Sequence, residues 1–338
     1  MARRKTLMNH LQCSALDIQL PRLLLLGALL WGLAAQSQTY PARPIKAIVP
    51  VPAGGYYDMV ARTVSQRLSE VLGQPVIVEN RVGAGGLVGT EYAARVTPDG
   101  YTISFNGIGA MSIFPGLYAK LPYDPQRDFL PIALVSGVPN LAVVHPSVPA
   151  RTLQELAALA RARPGSVTFA SNGIGTTQHL AAEMFATAVG AKLNHIPFNG
   201  SAPAVTAMLG GQTMLLFGIA SDVMPQVKAG GLRALAIASE KRLPILPEVP
   251  TTAEAGLPGV EIEIWLGAFA PRGTPREIIT RLNGAINKVL AMPDVRERLA
   301  PGGVGEAKGG TPEELGELVR REIAKWARVV KDSGARVE

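Results

Sequence analysis

Hydrophobic and polar positions alternate between two rhythms along most of the chain. Short apolar runs bounded by glycine and proline give way to stretches in which apolar residues recur every three or four positions, the marks of strands and amphipathic helices. Residues 45–51 form the first apolar run and end in the turn Pro52-Ala53-Gly54-Gly55; a helix over 59–72 follows, preceded by Asp58 and stopped by Gly73. Strands are expected at 76–79 and 101–105. Between them lie the glycine-rich loop 83–89, a helix over 90–96 and the turn Pro98-Asp99-Gly100.

After a loop over 124–131 the pattern resumes with strands at 132–136 and 141–144. A helix over 152–163 opens with Thr152 and Glu155 in capping-box spacing. Strands at 167–170, 194–197, 214–218 and 235–238 then alternate with helices at 178–189, 202–209 and 225–229, and 262–270 is again strand-like. Helices at 276–292, 295–300 and 312–331 complete the chain, the last with Glu, Lys and Arg on its polar face. Such alternation predicts α/β architecture with parallel sheets covered by helices. Two βα clusters are expected: lobe 1 over 38–140 plus 265–338 and lobe 2 over 141–264, with the chain crossing near Asn140 and returning near Trp265.

Length and composition fit this layout. The 338 residues suffice for two domains with their own cores, and 47% hydrophobic against 17% charged residues excludes a disordered chain. No charge run or Lys/Arg stripe marks a nucleic-acid surface, so no nucleic-acid partner is expected. The N-terminus differs from the rest. Arg3, Arg4, Lys5 and Arg22 precede an apolar run over 23–35, followed by Gln36, Ser37 and Gln38. A basic flank, a short apolar core and a small-residue exit predict a cleaved signal peptide over residues 1–37, hence export to the periplasm. The alternative is an uncleaved anchor, for which the run is short. Cleavage would remove Arg3, Arg4, Lys5, Arg22 and Asp17 and lower the net charge from +7 to about +4. It would also remove Cys13, the single cysteine, and with it any disulfide or thiol chemistry.

Two loops share an unusual pattern. Asn106-Gly107-Ile108-Gly109 and Asn172-Gly173-Ile174-Gly175 each stand between an expected strand end and a segment able to start a helix. That edge of a parallel sheet is where ligands bind, and helix N-termini there suit a carboxylate. The turn Gly54-Gly55-Tyr56-Tyr57-Asp58 supplies a third such loop. Its tyrosines offer apolar faces with a hydrogen-bonding tip, whereas Asp58 either contacts ligand or caps its helix. His179 is placed either to meet a ligand or to bind backbone. Enzyme signatures are missing. His145, His179 and His195 have no cysteine or ligand-spaced partner, no G-x-S-x-G elbow occurs, and Gly83 to Gly89 fails the dinucleotide spacing. Neither catalysis, a metal nor a cofactor is expected.

The order of short motifs resembles one family. These are Tyr40-Pro41-x-x-Pro44-Ile45, Pro52-x-Gly54-Gly55-x-x-Asp58, Val78-Glu79-Asn80-Arg81-x-Gly83-Ala84-Gly85-Gly86, Pro98-Asp99-Gly100-Tyr101, Leu121-Pro122-Tyr123-Asp124 and Gln178-His179-Leu180-Ala181. Gly210-Gly211-Gln212, Leu246-Pro247-Glu248-Val249-Pro250-Thr251, Glu254-Ala255-Gly256-Leu257-Pro258-Gly259 and Glu322-x-x-Lys325-Trp326 continue it. Over essentially the whole chain after the leader, this resembles the substrate-binding receptors of tripartite tricarboxylate transporters.

The resemblance implies a type II periplasmic-binding-protein fold, two doubly wound lobes joined by crossover strands with a ligand cleft between. It implies capture of a small carboxylate by hinge closure and delivery by a monomer to membrane transporter subunits. A sensor feeding a receptor kinase, or an enzyme acting on small acids, are the alternatives. By position the cleft loops would be 52–58, 106–112, 171–179, 198–201 and 218–222. Ser112, Ser171, Thr176, Thr177, Asn199, Gly200 and Ser201 thereby join the candidates named above. Departures lie at Ala53, Tyr56, Tyr57 and Gly218, where family members carry proline, small or polar residues, and an acid. They point to a ligand other than citrate or an amino-dicarboxylate, such as an aromatic or short apolar monocarboxylate.

Overall fold

The computed structural model describes residues 40–300 and 305–335, so the expected signal peptide lies outside the described residues. The chain divides into a unit ending at Ala42, of which 40–42 are described, and a unit from Arg43 onward that carries the fold. In chain order the latter runs β1 (Ile45–Val49), α1 (Tyr56–Leu72), β2 (Val76–Asn80), a 3-10 turn (Ala84–Gly86), α2 (Leu87–Arg95) and β3 (Thr102–Gly107). A π-helical turn (Gly109–Ile113) leads into α3 (Phe114–Leu117), β4 (Phe129–Val144), α4 (Leu153–Ala162), β5 (Thr168–Ser171) and α5 (Thr177–Val189). Next come β6 (Asn194–Pro197), α6 (Ser201–Leu209), β7 (Leu215–Ile219), α7 (Ala220–Lys228), β8 (Arg233–Ala238) and β9 (Glu263–Pro271). The described chain closes with α8 (Arg276–Leu290), α9 (Pro293–Leu299), β10 (Glu306–Gly309) and α10 (Pro312–Ser333).

The strand order is β2-β1-β3-β9-β4-β7-β5-β6, with β8 and β10 also on β4. Strand β1 runs parallel to β2 and β3, and β5 parallel to β6 and β7, as βαβ crossovers require. These parallel groups meet along β4. Its residues 129–139 pair antiparallel with β9 and 134–137 with β10, whereas 140–144 pair with β7 and β8.

Sequence patterning gives two strands, 132–136 and 141–144, where the structure has β4 as one strand of 16 residues. A side chain at Gly137 would collide with Glu263 and Lys308, which form an ion pair of 2.9 Å across that position. Gly137 therefore leaves room for the ends of these two side chains.

Elsewhere the local signals act as the physics suggests. Thr152 caps α4 by accepting a bond from the Glu155 backbone N–H. The Glu155 carboxylate reaches back to the Arg151 N–H, one residue beyond the reciprocal partner of a capping box. A complete box opens α10, between Thr311 and Glu314. Helix α10 lies against β4, α3 and the π-helical turn. Its Trp326 is fully buried, with the indole N–H donating to Glu322 at 2.8 Å. Lys325 donates to the Glu261 carbonyl at 2.7 Å, just ahead of β9. The motif at 322–326 thus anchors the last helix to the returning strand. Among the described residues no helix is long and apolar enough to cross a membrane.

Candidate functional site

Helix α1 begins at Tyr56 with Gly55 as its N-cap, so Asp58 sits inside the first turn instead of ahead of the helix. Its carboxylate is 3% exposed and accepts from the Gly54 N–H at 2.9 Å, from Arg62 Nε at 3.0 Å and from Asn80 Nδ2 at 2.8 Å. Burial pushes this carboxyl up, but the bonds from Arg62, Gly54 and Asn80 outweigh it and hold the pKa below the usual carboxylate value. The positive end of α1 is thereby matched by the protein's own anion.

The adjacent tyrosines differ. Tyr57 lies over Gly107, and its hydroxyl donates to the Trp265 carbonyl at 3.2 Å. A Cβ at Gly107 would fall well inside contact distance of the phenol, so this glycine provides space for a ring. Burial raises the Tyr57 pKa strongly. Tyr56 stands 6.2 Å from Tyr57 between ring centroids, and burial pushes its phenol up to about 12. The Ser136 hydroxyl beside it lowers that value slightly without reaching hydrogen-bond geometry, and neither hydroxyl has a partner.

Asn106 and Gly107 fall within β3, not after it as the sequence pattern suggested. The Asn106 amide is fully buried; its oxygen accepts from Thr90 at 2.9 Å and its nitrogen donates to Ser104 at 2.8 Å. Ser112 lies in the π-helical turn, fully buried with an unpartnered hydroxyl.

The second N-G-I-G segment makes a tight loop between β5 and α5. Ser171 donates to the Gly173 carbonyl and accepts from the Gly173 N–H, both at 3.1 Å. Thr176 caps α5 through the His179 N–H, and its hydroxyl donates to the Gly173 carbonyl at 2.7 Å. Gly175 needs to be glycine on two counts. Its φ is +76°, and a side chain there would strike Leu117 of α3. Thr177 is buried, Asn172 half-buried and Ile174 56% exposed at the loop tip. The next loop lies alongside: Phe198 N–H donates to the Ser171 carbonyl at 3.0 Å, and Asn199, Gly200 and Ser201 follow. Ser201 donates to Asp222 of α7, which also accepts from Ser221. Space above Gly54, Gly55 and Gly200 is open.

Asp58 and Asp222 therefore place carboxylates at the starts of α1 and α7, whereas the first turn of α5 carries no acid. Sequence reasoning reached Asp222 only as part of the 218–222 loop and did not single out Ser136, Asn140 or Trp265 as site residues. Both polar atoms of the Asn140 amide, the Ser136 hydroxyl and the Trp265 indole N–H are buried without partners. The available signal was polar residues inside the otherwise apolar strand β4. Two cavities lie away from these loops, one of 210 Å³ between α5, α10 and residues 258–260, the other of 490 Å³ over 115–127. No group of three His, Cys, Asp or Glu among the described residues could hold a metal.

Comparison with known proteins places this geometry. Residues 60–335 match the model of the tripartite tricarboxylate transporter family receptor. Protein BugT of Bordetella pertussis is 40% identical over 91% of this chain and 95% of its own length. Among solved structures, an R. palustris protein with adipate is 36% identical with a TM-score of 0.79, covering 88% of this chain and all of that one. MatC of Rhodopseudomonas palustris with bound malate is 34% identical with a TM-score of 0.75, over 86% of this chain and all of its own. The periplasmic binding protein BugD is likewise 36% identical with a TM-score of 0.76, over 88% of this chain and all of its own; with that likeness the fold is the two-lobed α/β fold of periplasmic binding proteins, and this chain belongs to the tripartite tricarboxylate transporter receptor family.

Proposed function

We propose that this protein is a periplasmic receptor that captures a small monocarboxylate in the cleft at the β4–β9 crossing and delivers it to a tripartite tricarboxylate-type membrane transporter. The carrying observation is that, of the seven side chains with buried, unpaired polar atoms among the described residues, five (Tyr56, Ser112, Ser136, Asn140 and Trp265) lie on β4, on β9 or in the segments 52–58 and 106–112, with Ser65 and Thr252 elsewhere. An unsatisfied buried polar group costs about 1–3 kcal/mol, so such a set is retained where an incoming molecule completes it. In this reading lobe 1 is residues 38–140 plus 265–338 and lobe 2 is 141–264. Hinge closure brings the loops at 52–58 and 106–112 toward those at 171–179 and 198–201. The chain acts as a monomer, is exported through its N-terminal signal and performs no catalysis.

The charge arrangement supports the ligand class. Asp58 and Asp222 lie in the first turns of α1 and α7, whereas the first turns of α5 and α6 carry no acid of their own; with Asp222 already bonded to Ser201 at the start of α6, the start of α5 is the one we assign to a carboxylate from outside. The unpaired hydroxyls, amide and indole suit neutral polar or aromatic parts of the solute, with Tyr56 as a wall. The relatives solved with adipate and malate hold dicarboxylates, so this reading separates the chain from them.

A thermal-shift panel of benzoate, short monocarboxylates, adipate, malate, citrate and aspartate tests the proposal. A ligand at 100 times its dissociation constant stabilises by about 2.7 kcal/mol. Monocarboxylates should raise Tm most and remain unconsumed. Tight binding of citrate or aspartate with no response to monocarboxylates overturns the assigned class, and turnover of any compound overturns the receptor role.

A further inference from the structure

Two histidines lie behind the 171–177 loop with their rings 4.1 Å apart between centroids and 9° from parallel. Phe169 stacks on His195 at 4.6 Å and 10°, its partner in the β5–β6 register, and lies 6.1 Å and 10° from His179. Each ring ends on a different part of the loop. His195 Nε2 is 2.7 Å from the Ser171 hydroxyl, which brackets Gly173 from both sides. His179 Nδ1 accepts the Gly175 N–H at 3.1 Å, at the turn where Gly175 is fixed against Leu117. A nitrogen that accepts carries no proton, so His179 is the Nε2–H tautomer. That N–H side faces Glu183 at 3.8 Å, one turn along α5.

We infer that His179 and His195, as a stacked pair of uncharged imidazoles, position the 171–177 loop for solute, and that protonating the pair loosens the loop and weakens binding. The inference rests on the receptor reading and adds its regulation. A proton on His179 Nδ1 would set donor against donor at Gly175, and a charge on either ring would sit against its neighbour. The groups facing the pair are Glu183 of α5 and Ser171 and Phe169 of β5. Glu183 in turn lines the 210 Å³ cavity with Arg328 and Asp332 of α10. Burial and the His195 charge lower the His179 pKa to about 4, burial lowers that of His195, and burial raises that of Glu183. The pair is thus neutral through the neutral range and charges in acid.

Both rings are positioning residues, which sets the variants. In His179→Asn the amide oxygen takes the place of Nδ1; His179→Leu removes the acceptor. His195→Phe keeps the stack and loses the bond to Ser171. Affinity for the tightest binder of the carboxylate panel should stay within about threefold in His179→Asn and fall about tenfold or more in His179→Leu and His195→Phe, the scale of one lost hydrogen bond. Wild-type affinity should decline below about pH 5, and less so in His179→Asn. Nitrogen-15 NMR of the unliganded protein should show His179 protonated on Nε2 at pH 7, with the Gly175 amide resonance moving as the ring titrates. Wild-type affinity in both His179→Leu and His195→Phe, an Nδ1–H tautomer, or a Gly175 amide indifferent to His179 would each overturn the inference. Silence of the whole panel would instead fail the receptor reading, while the NMR result still decides the role of the pair.

Discussion

Replacing Gly107 by alanine tests the packing beneath the candidate cleft. The new methyl would enter the space of Tyr57 Oη, Cζ and Cε2. Retreat is blocked on the backbone side, because Gly107 pairs with Leu266 in the β3–β9 ladder. The ring must therefore move by an ångström or so, and in moving loosen its 3.2 Å bond to the Trp265 carbonyl. Overpacking of a tight site costs about 1–3 kcal/mol, and a loosened hydrogen bond about 1 kcal/mol. Against this, alanine recovers roughly 0.5–1 kcal/mol of backbone entropy over glycine in a strand. The net loss is about 2 kcal/mol, or roughly 3 °C in Tm for a chain of this size. Urea denaturation of Gly107→Ala, Tyr57→Ala and the double variant forms the cycle. With the ring removed the methyl should keep only its gain of roughly 0.5–1 kcal/mol in backbone entropy, giving a coupling energy of about 3 kcal/mol. An equal cost of Gly107→Ala with and without Tyr57 would refute the steric reasoning.

Three more outcomes follow from the same geometry. The folded chain excludes a proton that unfolded His179 binds below about 6.5, so stability should fall as pH drops from there toward about 4, by roughly 3 kcal/mol in total; urea midpoints at pH 7, 5.5 and 4 should show a shallower fall in His179→Asn, and identical slopes would contradict the assignment. Gly175→Ala adds left-handed strain of about 1 kcal/mol to a collision with Leu117, so it should cost at least about 2 kcal/mol, and Leu117→Ala should recover part of that but not the strain. Ser136→Ala removes a hydroxyl with no partner, so the unliganded protein should be as stable as wild type or more so while carboxylate affinity drops in calorimetric titration; a drop in stability with unchanged affinity would place Ser136 outside the cleft.

Elements with strong local signals were legible in the sequence. Strand β6 falls at the expected positions, and Gly73 stops α1 in the left-handed conformation that a glycine end allows. The pairing of the strands was not legible. Residues 306–309 carry two charges and no apolar run, and they become β10 only because β4 offers an open side. The gap expected at 137–140 is bridged, and its Gly137 leaves room for Glu263 and Lys308, residues far away in sequence. At the site, the first N-G-I-G segment starts inside β3 and only the second forms a loop between strand and helix, and the pattern did not report what some of its glycines accommodate, since Gly107 and Gly175 face Tyr57 and Leu117. The 218–222 loop was placed by resemblance, but that its Asp222 is bonded to Ser201 of another helix could not be read from the sequence. Long-range contact decides these points, and periodicity does not report it.

The place of β9 in the sheet has a consequence for biogenesis. It lies between β3 and β4, although β3 ends at Gly107, β4 at Val144 and β9 begins only at Glu263. As the polypeptide emerges from N- to C-terminus, β3 and β4 both exist long before the strand that joins them. Each presents an unpaired edge in the interval, a template for association with other chains. The β5–β7 group has no such dependence, because its parallel partners all precede residue 220. Maturation should therefore proceed inside-out, with the middle of the chain ordered first and the first and last portions joining together at the end. Truncation shortly before Glu263 would leave that middle intact and the flanking strands exposed to aggregation.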